Sequence, residues 1–212
     1  MVAKKLKKVP TDSKSISLLA VFSAMVVALE IFPIIGVTDL KIPGTLFTID
    51  WTGIPIAFLF LGFGLVYSFI SVLIMTISIM AHGNMTGAIF KLFAELFKIF
   101  GMALAWYITR NRKFSYQVKI PIYIFFALLF CTIGMFFVNI ILLPILYLMT
   151  AELAFATSLL YIPWNAVQSI INVAGGFIIF RVIPIDLKLA FKIGEMDSES
   201  DDDKILELAD DE

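Results

Sequence analysis

The chain has 212 residues, 60% of them hydrophobic and 16% charged, with a mean hydropathy of +0.98. Soluble domains are roughly half apolar and about a quarter charged, so an ordinary soluble domain is excluded. The formal charge of −1 hides an asymmetry: residues 195–212 hold ten acids and one base, Lys204, which leaves residues 1–194 with 15 bases and 7 acids, a net of +8. These features predict an all-α integral membrane protein, multi-pass in the cell membrane, with six transmembrane helices, the second one short, and both termini cytoplasmic. The apolar runs are continuous rather than alternating, which argues against a β-barrel. The expected organisation is a basic cytoplasmic N-terminus (1–15), a six-helix membrane domain (16–183) and an acidic, disordered cytoplasmic tail (184–212).

Lys4, Lys5, Lys7, Lys8 and Lys14 precede the first span, about 16–35, and the positive-inside rule puts them in the cytoplasm. No small-residue cleavage site follows, so the run reads as an uncleaved span. Ala20, Ala24 and Ala28 recur every fourth residue and make a smooth strip for close helix approach. From the pattern alone, that strip packs inside the chain's own bundle. Residues 36–50 carry Gly, Pro and charges and read as an outer loop.

The next apolar run, 53–80, would reach ~42 Å as one helix against a ~30 Å hydrocarbon core. Topology argues for a break at Gly62 and Gly64. Only two segments, about 51–61 and 65–81, bring Arg110, Arg112, Lys113, Lys119, Arg181, Lys188 and Lys192 to the inside. The short segment needs shielding by its neighbours. Residues 82–86 form a tight outer loop. His82 is the only histidine and has no cluster of other ligating residues, so no metal site is expected.

The fourth span, 87–108, contains Lys91, Glu95 and Lys98. Spacing predicts that Lys91 pairs with Glu95, and Glu95 with Lys98, on one face. Charges inside a span suggest function, and a self-satisfied structural pair is the competing explanation. The fifth span, about 120–147, holds Cys131, Asn139, Pro144 and Tyr147; the single cysteine reads as a small core residue. Residues 148–161 form an outer loop with Glu152. The sixth span then starts at Tyr161, with Pro163 in its first turn, where a missing N–H is harmless. Asn165, Gln168 and Asn172 are spaced i, i+3, i+7 and share a helix face. All these polar groups fall in the outer half of the spans, which predicts a pocket open to the outside rather than a channel.

Several motifs carry a family resemblance over residues 16–183. They are the alanine strip; Asp50-Trp-Thr-Gly-Ile-Pro55 leading to Gly62 and Gly64; His82-Gly with Thr86-Gly87; and Asn139…Pro144…Tyr147 with Pro163-Trp-Asn165-Ala-Val-Gln168. The chain resembles the substrate-binding S components of energy-coupling factor (ECF) vitamin transporters, the riboflavin type above all. The resemblance implies a ligand site of Asn139, Asn165, Gln168 and Asn172, with Tyr147, Trp164 and Phe47 as apolar or stacking surface. Gln168 stands where the riboflavin type has lysine, and Lys91 is the candidate to supply the positive charge. Gly53 stands where that type often has Asp. The resemblance also turns the strip of Ala20, Ala24 and Ala28 into a docking face for a transmembrane T component, itself coupled to ATPase subunits. The implied ligand is riboflavin or a related flavin, as cargo rather than cofactor; another vitamin or precursor, or a stand-alone small-solute carrier, is the alternative. No Gly-x-x-x-x-Gly-Lys-[Ser/Thr] loop, nucleophile–base motif or nucleic-acid motif occurs, so neither intrinsic ATP binding, enzymatic activity nor a nucleic-acid partner is expected.

Overall fold

The apolar runs fold as six helices in a computed structural model that describes residues 12–32, 34, 37, 39–110, 112, 114–184 and 187–188. The basic residues of 1–11, Lys113, Lys192 and the acidic run 195–212 lie outside the described residues. The helices are α1 (Ser13–Ile31), α2 (Gly53–Phe63), α3 (Leu65–Ala81), α4 (Met85–Thr109), α5 (Tyr116–Tyr147) and α6 (Ala151–Val182). Polar side chains start three of them. Asp12 accepts from Ser15 N, Asn84 from Gly87 N and Thr150 from Leu153 N, each satisfying an amide that the first turn leaves free.

Three helical segments, Ser13–Ile31, Gln117–Tyr147 and Ala151–Val182, are long and apolar enough to cross a membrane. Their outward faces match that solvent. On α5 the exposed positions include Ile133, Phe137, Ile141 and Ile145, whereas Tyr123, Ala127, Cys131, Met135, Asn139 and Leu143 face inward. A helix with its apolar residues outside and an amide inside is the reverse of a soluble surface helix. The described residues are thus largely helical, with three helices suited by length and composition to a membrane.

The long run 53–81 breaks at Gly64, whose φ of +89° is closed to ordinary side chains. Nine of the eleven residues of α2 are buried. It packs against α1, α3, α4 and α6, so the shielding that a short helix requires comes from the whole bundle. Around it, α1 lies on α3, α3 on α4, α4 on α5 and α5 on α6.

Two expectations are corrected. Residues 148–161 are not an outer loop: only 148–150 separate α5 from α6, and Pro163 lies inside α6 rather than in its first turn. Thr150 supplies the cap, Glu152 the first-turn acid that suits a helix N-terminus, and Leu148 turns the chain at a left-handed φ of 54°. An interior proline is tolerable in a membrane helix, where neighbours re-satisfy the freed carbonyl. The segment 36–50 is not only loop either. It contains an antiparallel hairpin, β1 (Asp39–Lys41) and β2 (Thr48–Asp50), in the register Asp39 to Asp50, Leu40 to Ile49 and Lys41 to Thr48. Pro43-Gly44 turns it, and Thr45 Oγ1 holds the turn by donating to Ile42 O while accepting from Phe47 N.

Candidate functional site

The polar groups of four elements converge where β2 runs into α2. Asp50 ends β2, and its Oδ1 accepts from Thr52 N (3.0 Å) and from the Thr52 hydroxyl. This local turn starts α2 and fixes the carboxylate. Its other oxygen, Oδ2, receives Lys91 Nζ from α4 at 2.9 Å and Gln168 Nε2 from α6 at 3.0 Å. Lys91 also pairs with Glu30, near the C-terminus of α1. In the orientation its neighbours dictate, the Asn172 amide donates to the Asp50 carbonyl (3.2 Å) and accepts from Lys98 Nζ (2.8 Å). Lys98 is paired in turn with Glu95, and both are buried. A continuous chain of contacts thus runs Glu30, Lys91, Asp50, Asn172, Lys98, Glu95.

Gly53 is what lets α2 meet this chain. A Cβ there would collide with the side-chain amide of Asn172. The expected pairing of Lys91 with Glu95 is corrected: Lys91 bonds across the bundle to Glu30 and Asp50, and only Glu95–Lys98 holds as a pair within α4. A lysine in an apolar helix needs carboxylates at its own depth, and here they come from two other elements.

Higher in the hairpin, Tyr161 Oη accepts from Leu46 N (3.2 Å), and its ring lies 5.4 Å from that of Phe47. Tyr161 precedes Asn172 by eleven residues, about 16 Å along α6. The hairpin therefore descends along α6 into the bundle and does not merely cover its end. The free space beside the cluster is a void of about 10 Å³, lined among others by Gly53, Glu95, Lys98 and Asn172. That admits at most about one water. A larger groove of about 310 Å³, lined by Thr132, Ile133, Phe136, Phe137, Leu159 and Ile162, lies on α5 and α6; its lining is almost wholly apolar and suits a lipid chain better than a polar solute.

Of the site residues expected from sequence, the structure joins Lys91, Gln168 and Asn172 in one network. Phe47 sits above it against Tyr161. Asn139 and Asn165 are buried, and no hydrogen bond among the described residues ties either side chain to the cluster; Asn139 Nδ2 has no partner. Trp164 is half-buried, and Tyr147 is exposed with its ring 6.2 Å from Phe90. Glu30 was missed as a site residue, and Asp50 was noted only as part of a motif. The available signal was depth: Glu30 is an acid inside an apolar run, and Lys91 had more charge to satisfy than its own helix supplies.

The strip of Ala20, Ala24 and Ala28 is exposed, on the side of α1 away from α2 and α3. Packing within the chain's own bundle, the reading from pattern alone, is thereby overturned among the described residues. His82 is exposed beyond α3, with Nδ1 3.0 Å from Ser78 O.

Burial opposes ionisation of Asp50, but Lys91, Lys98 and the Thr52 hydroxyl outweigh it and hold the carboxyl below its ordinary value near 3.8. A folded value below the unfolded one means that Asp50 stabilises the fold fully above the unfolded value and loses that contribution as pH falls through the folded one. The stability difference between wild type and Asp50→Asn, read by thermal unfolding, should therefore hold from about pH 8 to about pH 5 and shrink only below about pH 4. A difference that vanishes near neutral pH would contradict this assignment.

Comparison with family models gives no match, and no curated protein matches the chain either. The described residues thus form a helical bundle, with three helices long and apolar enough to cross a membrane and a buried, mixed-charge cluster under a descending hairpin.

Proposed function

We propose that the chain is the substrate-binding membrane subunit, or S component, of an ECF-type vitamin uptake transporter. The observation that carries this reading is the concentration of charge and amide groups from α1, β2, α4 and α6 inside a bundle whose exterior is apolar. Such convergent polar groups within an apolar wall are what a small-solute site requires. In this reading all six helices lie in the membrane, with α2 as the short one, the hairpin end faces outside and both termini are cytoplasmic. Arg110, Arg112, Lys119, Arg181 and Lys188 fall at or beyond the opposite helix ends, as the positive-inside rule requires of the cytoplasmic face. Arg110 lies over the Tyr107 ring there (4.4 Å), a pairing suited to a membrane interface.

The hairpin 39–50 is the lid of the site and must withdraw for a solute to enter. Energy comes from partner subunits: a T component docking on the exposed alanine strip, with ATPase subunits attached to it. Riboflavin or a related flavin is the first ligand to try, on the strength of the sequence resemblance. Purified protein should either carry a visible flavin absorption band or bind added riboflavin. A colourless protein without affinity for riboflavin would discard the flavin and leave a different vitamin. Failure to co-purify with a T component and its ATPases, when expressed with those from the same cell, would discard the transporter assignment. Uptake into liposomes by this chain alone, without ATP, would replace it with a stand-alone carrier.

A further inference from the structure

We infer that the acidic run 195–212 docks on the basic end of the helix bundle, opposite the hairpin, and covers it. Neither the solute nor the transporter assignment enters into this. The cations of that end stand at one level. Gly101 of α4 lies against Ala127 of α5, and Cys131 of α5 meets Ser169 of α6 through a side-chain hydrogen bond. Arg110 is nine residues past Gly101, and Lys119 is eight before Ala127. Lys119 is likewise twelve residues before Cys131, and Arg181 twelve past Ser169. At ~1.5 Å per residue, Arg110, Lys119 and Arg181 fall within about one turn of each other in depth. Arg112 follows Arg110, and Lys188 lies back over the Phe180 ring (4.6 Å), so five cations share this end.

The arginines here lack anions. Arg110, Arg112 and Arg181 are exposed, and no carboxylate among the described residues pairs with any of them. Arg110 and Arg112 rest on aromatic rings instead, 4.4 Å from that of Tyr107 and 5.8 Å from that of Phe114. Stacking of this kind holds a guanidinium in place and leaves its N–H fork open to a carboxylate. Among the described residues Asp12 is the one acid at this end, and it is taken up in capping α1.

Charge and reach select the occupant. Residues 1–194 hold 15 bases and 7 acids; setting aside the two lysines and three carboxylates of the internal cluster leaves 13 and 4, a net of +9. Of those 13 bases only Lys41 belongs to the hairpin. Residues 195–212 hold ten acids and one base, a net of −9. The acidic run therefore balances the charge left outside the cluster, and it is tethered beside it. Glu195 is seven residues past Lys188 and Asp203 fifteen, which reach ~24 Å and ~50 Å when extended. Arg181 and Arg110 are two helix spacings apart, about 20 Å at ~8–10 Å each. So short a tether keeps the acids at about millimolar effective concentration, where weak ion pairs suffice for docking. Anionic phospholipid, which has neither the tether nor the matching charge, is the rival occupant.

A fluorescent peptide of residues 195–212 reports whether the basic end is covered, through its anisotropy with the full chain in neutral detergent. Three full-length proteins are compared. They are wild type; a variant with all ten acids of 195–212 replaced by their amides (Asp→Asn, Glu→Gln); and that variant with Arg110→Gln, Arg112→Gln and Arg181→Gln added. The neutral-tail variant should bind the peptide with a Kd of about 0.1 mM or less, below the ~1 mM effective concentration of a tethered run. Wild type, its end already occupied, should bind at least about tenfold more weakly, and so should the arginine variant. Raising salt from about 0.1 to about 1 M should abolish binding, because the screening length falls from ~10 to ~3 Å. Failure of the neutral-tail variant to bind at about 1 mM peptide, or equal binding by wild type, overturns the inference. Equal binding by the arginine variant does the same; should that variant not fold, Arg112→Gln alone, beyond the end of α4, is judged by whether it weakens binding at all. The titration is repeated in nanodiscs of phosphatidylcholine, with and without phosphatidylglycerol. Binding in both supports the docked tail, and loss in the anionic discs gives the end to lipid headgroups and overturns it.

Discussion

Lys91→Ala should destabilise the folded protein by about 3–5 kcal/mol, the loss typical when one member of a buried ion pair is removed. The size follows from what is left behind. Lys91 is the direct partner of both Glu30 and Asp50, whose side chains are 19% and 13% exposed. Removing it strands two carboxylates at once, with only the Gln168 and Thr52 donors remaining on Asp50. Lys98 cannot take over, because it is paired with Glu95 and bonded to Asn172. The same change should abolish solute binding, since in the proposed site Lys91 is the charged donor. Thermal unfolding in detergent separates stranded charge from lost packing. Combining Lys91→Met with Glu30→Gln and Asp50→Asn removes every member of the set and should recover most of the lost stability, as neutral replacement of a buried charge cluster often does. If Lys91→Ala unfolds like wild type and binds solute unchanged, the cluster is neither a structural centre nor a site.

Lys91 also marks the boundary of what the sequence could tell. Helix number and the break at Gly64 were legible, because hydrocarbon-length runs, glycines and the distribution of Lys and Arg are properties of single segments. The start of α6 was misjudged because Pro163 was taken as a helix opener, while Thr150 and Glu152 carried the true capping signal and the helix starts at Ala151, ten residues before Tyr161. The hairpin was hidden in a short stretch whose strands are only three residues long, below the length at which alternation can be read. The ion pairs were misassigned for a different reason. Spacing along one helix reports which charges can meet within it, and Glu95–Lys98 obeyed that rule. Lys91 is satisfied across the bundle, and no local spacing encodes how α1, β2 and α4 stand at one depth. Gln168 and Asn172 were found by periodicity because both lie on the inward face of α6, yet their common partner, Asp50, sits on another element.

Ala24→Trp should abolish ATP-dependent uptake while leaving the fold and solute binding intact. Ala20, Ala24 and Ala28 lie exposed along one side of α1, so among the described residues a large side chain there has room. Its effect on stability should stay within about 0.5 kcal/mol, as for surface changes away from packed features. Docking between membrane helices is another matter, because lipid offers no hydrophobic drive and association depends on close backbone approach over small residues. Tryptophan at the centre of the strip blocks that approach. A control on a lipid-facing surface distinguishes this from a general effect of bulk: Ile145 on α5 is 64% exposed, and Ile145→Trp should leave uptake unchanged. Three measurements on the same preparations decide the matter, namely thermal unfolding, solute binding, and uptake or co-purification with the T component. Loss of stability and binding together would mean that the strip supports the fold after all. Full uptake with Ala24→Trp would mean that partners dock on another face of the bundle, and the proposed role of α1 would fall while the site under the hairpin stood untouched.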